Sequence, residues 1–334
     1  MYTGGTQAGS GSRILVVRLG AMGDIIHALP AAASLKHGFP GSRLTWVVEP
    51  QWAPLLEGNP FVDRVALFRR GGPGTILESC RRLRQERYDF AVDFQGLIKS
   101  ALVASVARPD RIFGFHQSQA REKLAALFYS HKTLSRAAHV VDRNLDLAAA
   151  AGAGTILKKF PLPAGRQESP LPGGPFVLAC PLAGWRSKQW PPEFYGELAA
   201  RLRNELGITL VVDGPATAAS VLAAAGEAFR HYSSLSGLIF AMRRAAAVVG
   251  GDSGPLHLAA ALGKPGVAIF GPTDPGRNGP YGGSITILRS PRAATSYKRR
   301  AAIDESMYQI TPDAVFDALR PHLLARPRSA DCMA

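Results

Sequence analysis

Four short stretches hold residue types that could work on a phosphorylated or hydroxylated ligand. The first is Arg18-Leu19-Gly20-Ala21-Met22-Gly23-Asp24. Gly20 and Gly23 allow close backbone approach. Asp24 can take a proton from a hydroxyl group, and it can equally cap a helix that starts there. The second is Gly250-Gly251-Asp252-Ser253-Gly254-Pro255-Leu256-His257. Small residues at a helix start expose backbone N–H groups to an anion, and Ser253 adds a hydroxyl donor. Asp252 has the wrong sign for phosphate and is expected to face elsewhere, toward sugar hydroxyls. His257 falls one helical turn after Ser253, on the same face. A tight strand–helix turn with a core histidine would look the same. The third is Gly184-Trp185-Arg186-Ser187-Lys188-Gln189-Trp190. Arg186 and Lys188 can neutralise a departing diphosphate, or they are charges on a solvated loop. The fourth, Gly271-Pro272-Thr273-Asp274-Pro275-Gly276, is a loop punctuated by proline and glycine.

Each stretch needs an element to hold it, and the apolar pattern supplies one. Ile14 to Val17, Leu44 to Val48, Val65 to Leu67 and Phe90 to Val92 are short continuous apolar runs. Helical patterns separate or follow them: Asp24 to His37 with Pro30 as an internal irregularity, Ile76 to Glu86, Leu97 to Ala107, Arg121 to Tyr129 and Val140 to Gly152. The alternation restarts with strands at Phe176 to Ala179, Ile208 to Val212, Val248 to Val249 and Val267 to Ile269. Helices are expected at Pro192 to Leu206, Ala216 to Phe229, Leu235 to Ala246, Ser253 to Leu262 and Pro312 to Leu324. Continuous apolar strands alternating with helices predict an α/β fold with parallel sheets covered on both faces. Residues 1–12 read as a flexible tail, 13–160 as a first Rossmann-like domain and 161–175 as a proline- and glycine-rich linker. Residues 176–311 read as a second Rossmann-like domain, and 312–334 as a terminal helix and tail. Every candidate stretch follows a strand, on the side where such sheets bind ligands, and two such halves imply a cleft between them.

Bulk properties narrow the partners. The 334 residues suit two domains, and the formal net charge is +14, which favours anionic partners. The basic residues are dispersed and no nucleic-acid motif is present, so nucleic acid is not an expected partner. The three cysteines, Cys80, Cys180 and Cys332, are far apart; neither a disulfide framework nor a metal site is suggested, and no metal or cofactor is expected. No apolar run approaches the roughly 18 residues of a membrane span. The expected location is cytoplasmic. Any membrane contact is expected to be peripheral and electrostatic, with Arg69, Arg70, Arg108, Arg111, Arg121 and Lys123 as candidates.

Together these stretches resemble glycosyltransferase family 9, the bacterial lipopolysaccharide heptosyltransferases, over nearly the whole chain. Arg18 to Asp24, Gly251 to Leu258 and Phe270-Gly271-Pro272-Thr273-Asp274-Pro275 carry the family resemblance. Trp46-Val47-Val48-Glu49, Asp93-Phe94-Gln95-Gly96-Leu97-Ile98-Lys99-Ser100 and Ala120-Arg121-Glu122 to Tyr129 resemble its heptosyltransferase I branch. The resemblance implies a GT-B fold, with two Rossmann-like domains facing across a cleft. It implies metal-independent, inverting transfer from ADP-heptose to the Kdo-bearing lipid A core. By the same resemblance Asp24 is the catalytic base. Gly184, Lys188, Asp252, Ser253, Gly254 and His257 bind the donor, and Gly23, Gln95, Lys99 and Arg121 lie on the acceptor side. The implied partners are a nucleotide-diphosphate sugar, a lipid A-type glycolipid and the anionic inner-membrane surface. Three features depart from the family pattern: Pro181-Leu182-Ala183-Gly184 where hydroxyl residues are common, Ser253 in place of a threonine, and a short, weakly basic loop at Arg69 to Gly74. Transfer of another sugar, action later in the core, and nucleotide-sugar epimerisation are the competing readings.

Overall fold

The computed structural model describes residues 11–296 and 298–324. The expected tails therefore lie largely outside the described residues, as does Cys332. The chain divides into two compact units, Met1–Pro163 and Ala164–Ala334.

Unit 1 is built on a sheet of β1 (Arg13–Val17), β2 (Arg43–Val48), β3 (Arg64–Leu67), β4 (Phe90–Asp93), β5 (Arg111–Phe115) and β6 (His131–Thr133). Its order is β3-β2-β1-β4-β5-β6, and every pairing is parallel. The helices are α1 (Met22–Gly38), α2 (Pro73–Arg84), α3 (Ile98–Val106) and α4 (Val140–Ala150). Ile14 to Val17 are buried because a central parallel strand is covered on both faces. Helix α1 is buried on nearly every side from Met22 to Leu35, runs through Pro30 without a break and packs on α4. A helix with no polar face belongs in an interior.

Unit 2 repeats the plan with β7 (Phe176–Cys180), β8 (Thr209–Gly214), β9 (Phe229–Tyr232), β10 (Ala247–Gly251), β11 (Gly266–Phe270) and β12 (Ile285–Arg289). The order is β12-β11-β10-β7-β8-β9, again all parallel. Its helices are α5 (Pro192–Leu206), α6 (Ala219–Ala223), α7 (Leu235–Arg244), α8 (Gly254–Ala261), α9 (Pro275–Asn278), α10 (Glu305–Tyr308) and α11 (Pro312–Leu324). Val177, Leu198, Val212, Ile269 and Phe316 share one buried core with Trp190 and Tyr195. Residues 161–175 form neither helix nor strand, yet Glu168 ties the stretch to unit 2 by accepting hydrogen bonds from Ser234 N–H (2.7 Å) and its hydroxyl.

Two expected helices are corrected. The run from Arg121 to Tyr129 is a short 3-10 helix, Lys123–Phe128. The alanine-rich run from Ala216 to Phe229 forms only a 3-10 turn and the five-residue α6, then passes through Gly226 at φ +60° into edge strand β9.

Gly114 on β5 marks where packing tolerates no side chain. A Cβ there would lie 2.3 Å from ring carbons of Tyr129, whose buried hydroxyl donates to Asp93 at 2.7 Å. Gly114→Ala is expected to destabilise the chain by about 1–3 kcal/mol, as overpacked cores do. Urea denaturation checks this; an unchanged midpoint would mean that the Tyr129 ring is not held against β5.

Candidate active site

Both sheets change direction once. In unit 1 the chain winds outward from β1 to β3, then restarts at β4 beside β1. In unit 2 it winds from β7 to β9, then restarts at β10 beside β7. The loops after the two strands at such a switch point diverge and leave a crevice at the carboxyl rim. The loops after β1 and β4 carry Arg18 to Asp24 and Gln95 to Lys99. The loops after β7 and β10 carry Gly184 to Lys188 and Asp252 to His257.

In unit 1 a charged group stands at the end of each of three strands: Arg18 after β1, Glu49 after β2 and Asp93 at the end of β4. Arg18 is 2% exposed, and its Nη2 lies 2.7 Å from Asp24 Oδ1. Arg121 Nη2 reaches the same oxygen at 2.8 Å from a side chain that is 45% exposed. Arg18 Nη1 donates to the Phe94 carbonyl. Asp24 Oδ2 accepts the Ala21 N–H at 3.4 Å, so the aspartate also caps α1. Burial pushes the Asp24 carboxyl up, but Arg18 and then Arg121 outweigh it and hold the group below the usual carboxylate range. Burial lowers Arg18 below an ordinary arginine, with Asp24 opposing the shift.

Behind this triad lies a fully buried carboxylate. Asp93 accepts from Gln95 N–H (2.8 Å), Gly96 N–H (3.3 Å), Ser100 Oγ (2.7 Å) and Tyr129 OH (2.7 Å). Burial raises its pKa in spite of these donors. The turn it holds is left-handed at Gly96, φ +68°, a conformation that glycine adopts without strain. The Gly96 carbonyl accepts from Glu122 N–H (3.0 Å), and the Glu122 carboxylate accepts from Ile98 N–H (2.6 Å) at the start of α3. This clamp sets the approach of Arg121 to Asp24.

Of the residues expected on the acceptor side, the structure brings only Arg121 to Asp24. Gly23 is buried in α1 beside it. Gln95 is 4% exposed and its side-chain oxygen accepts the Leu19 N–H at 2.8 Å. That oxygen braces the β1 loop, whose amide would otherwise lack a partner inside the sheet rim. Lys99 Nζ stands 3.9 Å from Glu49, which is also paired with Arg70. Partial burial, then Arg70, lower the Lys99 pKa.

In unit 2, Lys188 Nζ meets Asp252 Oδ2 at 2.8 Å, with side-chain exposures of 15% and 8%. His257 Nε2 lies 3.6 Å from the other carboxylate oxygen. Burial pushes Asp252 up, but the His257 hydrogen bond and the Lys188 charge hold it far below the carboxylate range. The close approach needs Gly251, where a Cβ would sit 2.7 Å from the Lys188 carbonyl oxygen. Ser253 is the N-cap residue of α8 but makes no side-chain cap bond, and its buried Oγ has no partner. The Ser187 and Thr273 hydroxyls are likewise buried without partners, the first in the β7 loop and the second in the β11 loop. Lys188 Nζ also lies 4.7 Å from the ring centroid of Trp185. Gly254 opens α8. Gly184 is exposed, with no atom within 4 Å of a Cβ built there, so its backbone is not one that only glycine could supply.

Arg18, Glu49, Asp93, Ser187 and Thr273 lay inside the quoted stretches without a role. For Arg18, Glu49 and Asp93 the usable signal was a charged residue at the end of a largely apolar strand. Among the described residues no group of three or more His, Cys, Asp and Glu could hold a metal ion.

The family model for glycosyltransferase family 9 (heptosyltransferase) matches residues 76–307. The chain belongs to glycosyltransferase family 9. This transferase is 32% identical to lipopolysaccharide heptosyltransferase 1 of Pseudomonas aeruginosa over 83% of its own length and 84% of that protein. It is 30% identical to the Escherichia coli K12 protein of the same name, over 84% and 94% of the two chains. The structure of E. coli heptosyltransferase WaaC with ADP-2-deoxy-2-fluoro heptose superposes with a TM-score of 0.75 at 26% identity, covering 92% of this chain and 99% of that one. The two parallel six-stranded sheets are thus those of a GT-B transferase.

The pairing in unit 2 of this family 9 transferase makes a pH-dependent prediction. A carboxylate held below its unfolded pKa adds stability above that unfolded value and loses it as pH falls toward the folded one. Lys188→Met removes a cation that holds Asp252 down, so the folded pKa rises. The loss of stability should be roughly 1.5–3 kcal/mol near neutral pH, as for a hydrogen bond to a charged group. It should shrink as pH drops through the carboxylate range. Denaturation at pH 7 and at about pH 2.5, below the unfolded aspartate value, checks this; a gap that does not shrink between the two would separate Lys188 from Asp252.

Proposed function

We propose that this transferase moves a heptose from ADP-heptose to the Kdo-bearing lipid A core of lipopolysaccharide, with inversion at the anomeric carbon and without a metal ion. The observation that carries the reading is the pair of charged clusters at the two switch points, a carboxylate between cations in unit 1 and a lysine beside a helix N-terminus in unit 2. The names of the two relatives and the donor analogue bound in WaaC support the choice of sugar, nucleotide and acceptor.

Asp24 takes the proton from the acceptor hydroxyl. The freed oxygen forms a bond to the anomeric carbon from the side opposite the diphosphate, and the bond from that carbon to the phosphate oxygen breaks. ADP leaves with the electron pair. In the ligand-free chain Asp24 is a weak base because two arginines share it. Arg121 is the exposed one, and an anionic group of the acceptor competes for it. Its departure leaves Asp24 with Arg18 alone and raises its basicity when the hydroxyl arrives. In unit 2 the diphosphate competes with Asp252 for Lys188. The free Ser253 hydroxyl and the N–H groups at the start of α8 take phosphate oxygens. Asp252, released from Lys188 and still beside His257, is left to accept sugar hydroxyls. Unit 1 serves the acceptor and unit 2 the donor.

A lipid A acceptor places the work at the cytoplasmic face of the inner membrane. No helix among the described residues is long and apolar enough to cross a membrane, so the attachment proposed is peripheral. Three of the six arginines and lysines expected to make it are engaged elsewhere: Arg70 with Glu49, Arg121 with Asp24, and Arg111 over the Phe90 and Phe113 rings at 5.7 and 5.9 Å.

Asp24→Asn is expected to keep ADP affinity while turnover falls about 10²- to 10⁴-fold, the usual contribution of a general base. Near wild-type turnover would reduce Asp24 to a helix cap. Lys188→Ala is expected to weaken ADP binding and slow transfer together; titration calorimetry and initial rates that both stay unchanged would remove it from the donor site. Activity is expected to survive EDTA, and strict dependence on an added divalent cation would contradict the metal-free chemistry.

A further inference from the structure

Two residues beyond Arg121 begins the 3-10 helix Lys123–Phe128, whose leucines face away from the core. Ala125 and Ala126 are fully buried against Ala101 of α3 and Tyr129. Leu124 and Leu127 are 61% and 75% exposed. A 3-10 helix has three residues per turn, so positions three apart eclipse and share one face. Leu124 and Leu127 therefore form an apolar ridge pointing away from the core. Leu102 on α3, the helix against which this turn packs, is 45% exposed. Scattered apolar residues on a surface need no explanation, but an eclipsed pair of leucines on one turn is a directed feature.

The position of the ridge narrows what it meets. Arg121 contacts Asp24, and three residues of chain span at most about 10 Å, so the ridge begins within that distance of the proposed base's partner. Its surroundings are basic. Lys123 is exposed beside Leu124, and Lys132 is exposed on β6 just beyond. Neither has a carboxylate partner among the described residues. Glu122, the nearest acid in sequence, accepts the N–H of Ile98 at the start of α3. An exposed apolar ridge flanked by free lysines matches the boundary between headgroups and acyl chains of an anionic leaflet.

We infer that Leu124 and Leu127 insert into the anionic leaflet that carries the acceptor, with Lys123 and Lys132 on its headgroups. The inference rests on the reading of a lipid-borne acceptor and adds an apolar, salt-resistant component to peripheral attachment. The ridge docks the chain beside Asp24, so the sugar end of the acceptor reaches the base while its acyl chains stay in the bilayer.

The test uses the full chain, vesicles of phosphatidylcholine with and without phosphatidylglycerol, and the double variant Leu124→Ser/Leu127→Ser. Both leucines are exposed, so the variant is expected to keep the wild-type melting temperature. At high salt (about 0.5 M), where charge attraction is screened within a few ångströms, wild type is expected to stay on phosphatidylglycerol vesicles and the variant to dissociate, with partitioning lowered about tenfold or more. At low salt both bind. With a deacylated, water-soluble acceptor the two turn over equally, whereas with acceptor embedded in vesicles the variant has the higher KM. Equal flotation of the two proteins at high salt would overturn the inference. So would a change of the variant from dimer to monomer in sedimentation, which would make the ridge a contact between copies of this chain. Failure of wild type to glycosylate even the soluble acceptor would instead overturn the reading of function and leave the vesicle result standing.

Discussion

A charge at the rim of a sheet buried on both faces must find a partner, because an unpaired buried ion costs several kcal/mol. Arg18 is the extreme case. Its guanidinium follows four buried apolar residues of β1 and is 2% exposed. Asp24 and the Phe94 carbonyl answer it, which fixes the first turn of α1 against the β4 loop. Asp93 then fixes that loop through four donors, and the loop in turn fixes the segment that carries Arg121. Most of the local geometry of unit 1 follows from balancing one arginine.

Unit 2 solves the same problem with the signs reversed. Asp252 is the buried charge, and Lys188 and His257 balance it. In each unit a cation from a different loop reaches the aspartate at the rim: Arg121 meets Asp24 in the first, Lys188 meets Asp252 in the second. A substrate bearing phosphate or another anion exchanges partners with these cations and does not have to enter a bare charged pocket. Such exchange favours ligands that bring their own negative charge and disfavours neutral ones, which would leave the ion pairs intact. Three buried hydroxyls without partners, on Ser187, Ser253 and Thr273, lie in the β7, β10 and β11 loops of unit 2. Polar groups in that condition are the ones a ligand can satisfy.

The central strands were legible in the sequence because β1, β2, β4, β7, β10 and β11 are apolar nearly throughout. The edges were not. Strand β9 buries only His231, and β6 and β12 bury little, so no alternation or apolar run marked them. The alanines of residues 216–225 favour helix by intrinsic propensity, yet parallel pairing with β8 claimed the residues that follow. The candidate stretches were legible as strand-end loops, but their internal wiring was not. Lys188 and Asp252 lie 64 positions apart. The hydrogen bond from Leu19 N–H to the Gln95 side-chain oxygen spans 76 positions. Arginine is rarely buried, yet the place of Arg18 directly after β1 requires a partner.

On the proposed reading the two charged clusters serve one transfer of heptose onto a lipid A-type acceptor. The most direct measurement incubates the purified chain with ADP-heptose and a deacylated Kdo-bearing acceptor. Mass spectrometry follows the acceptor and chromatography follows ADP. The expected product is an acceptor heavier by one heptose residue, formed one-for-one with ADP, with the new anomeric bond inverted relative to the donor. ADP released without a heavier acceptor, or a product that keeps the donor's anomeric configuration, would contradict it.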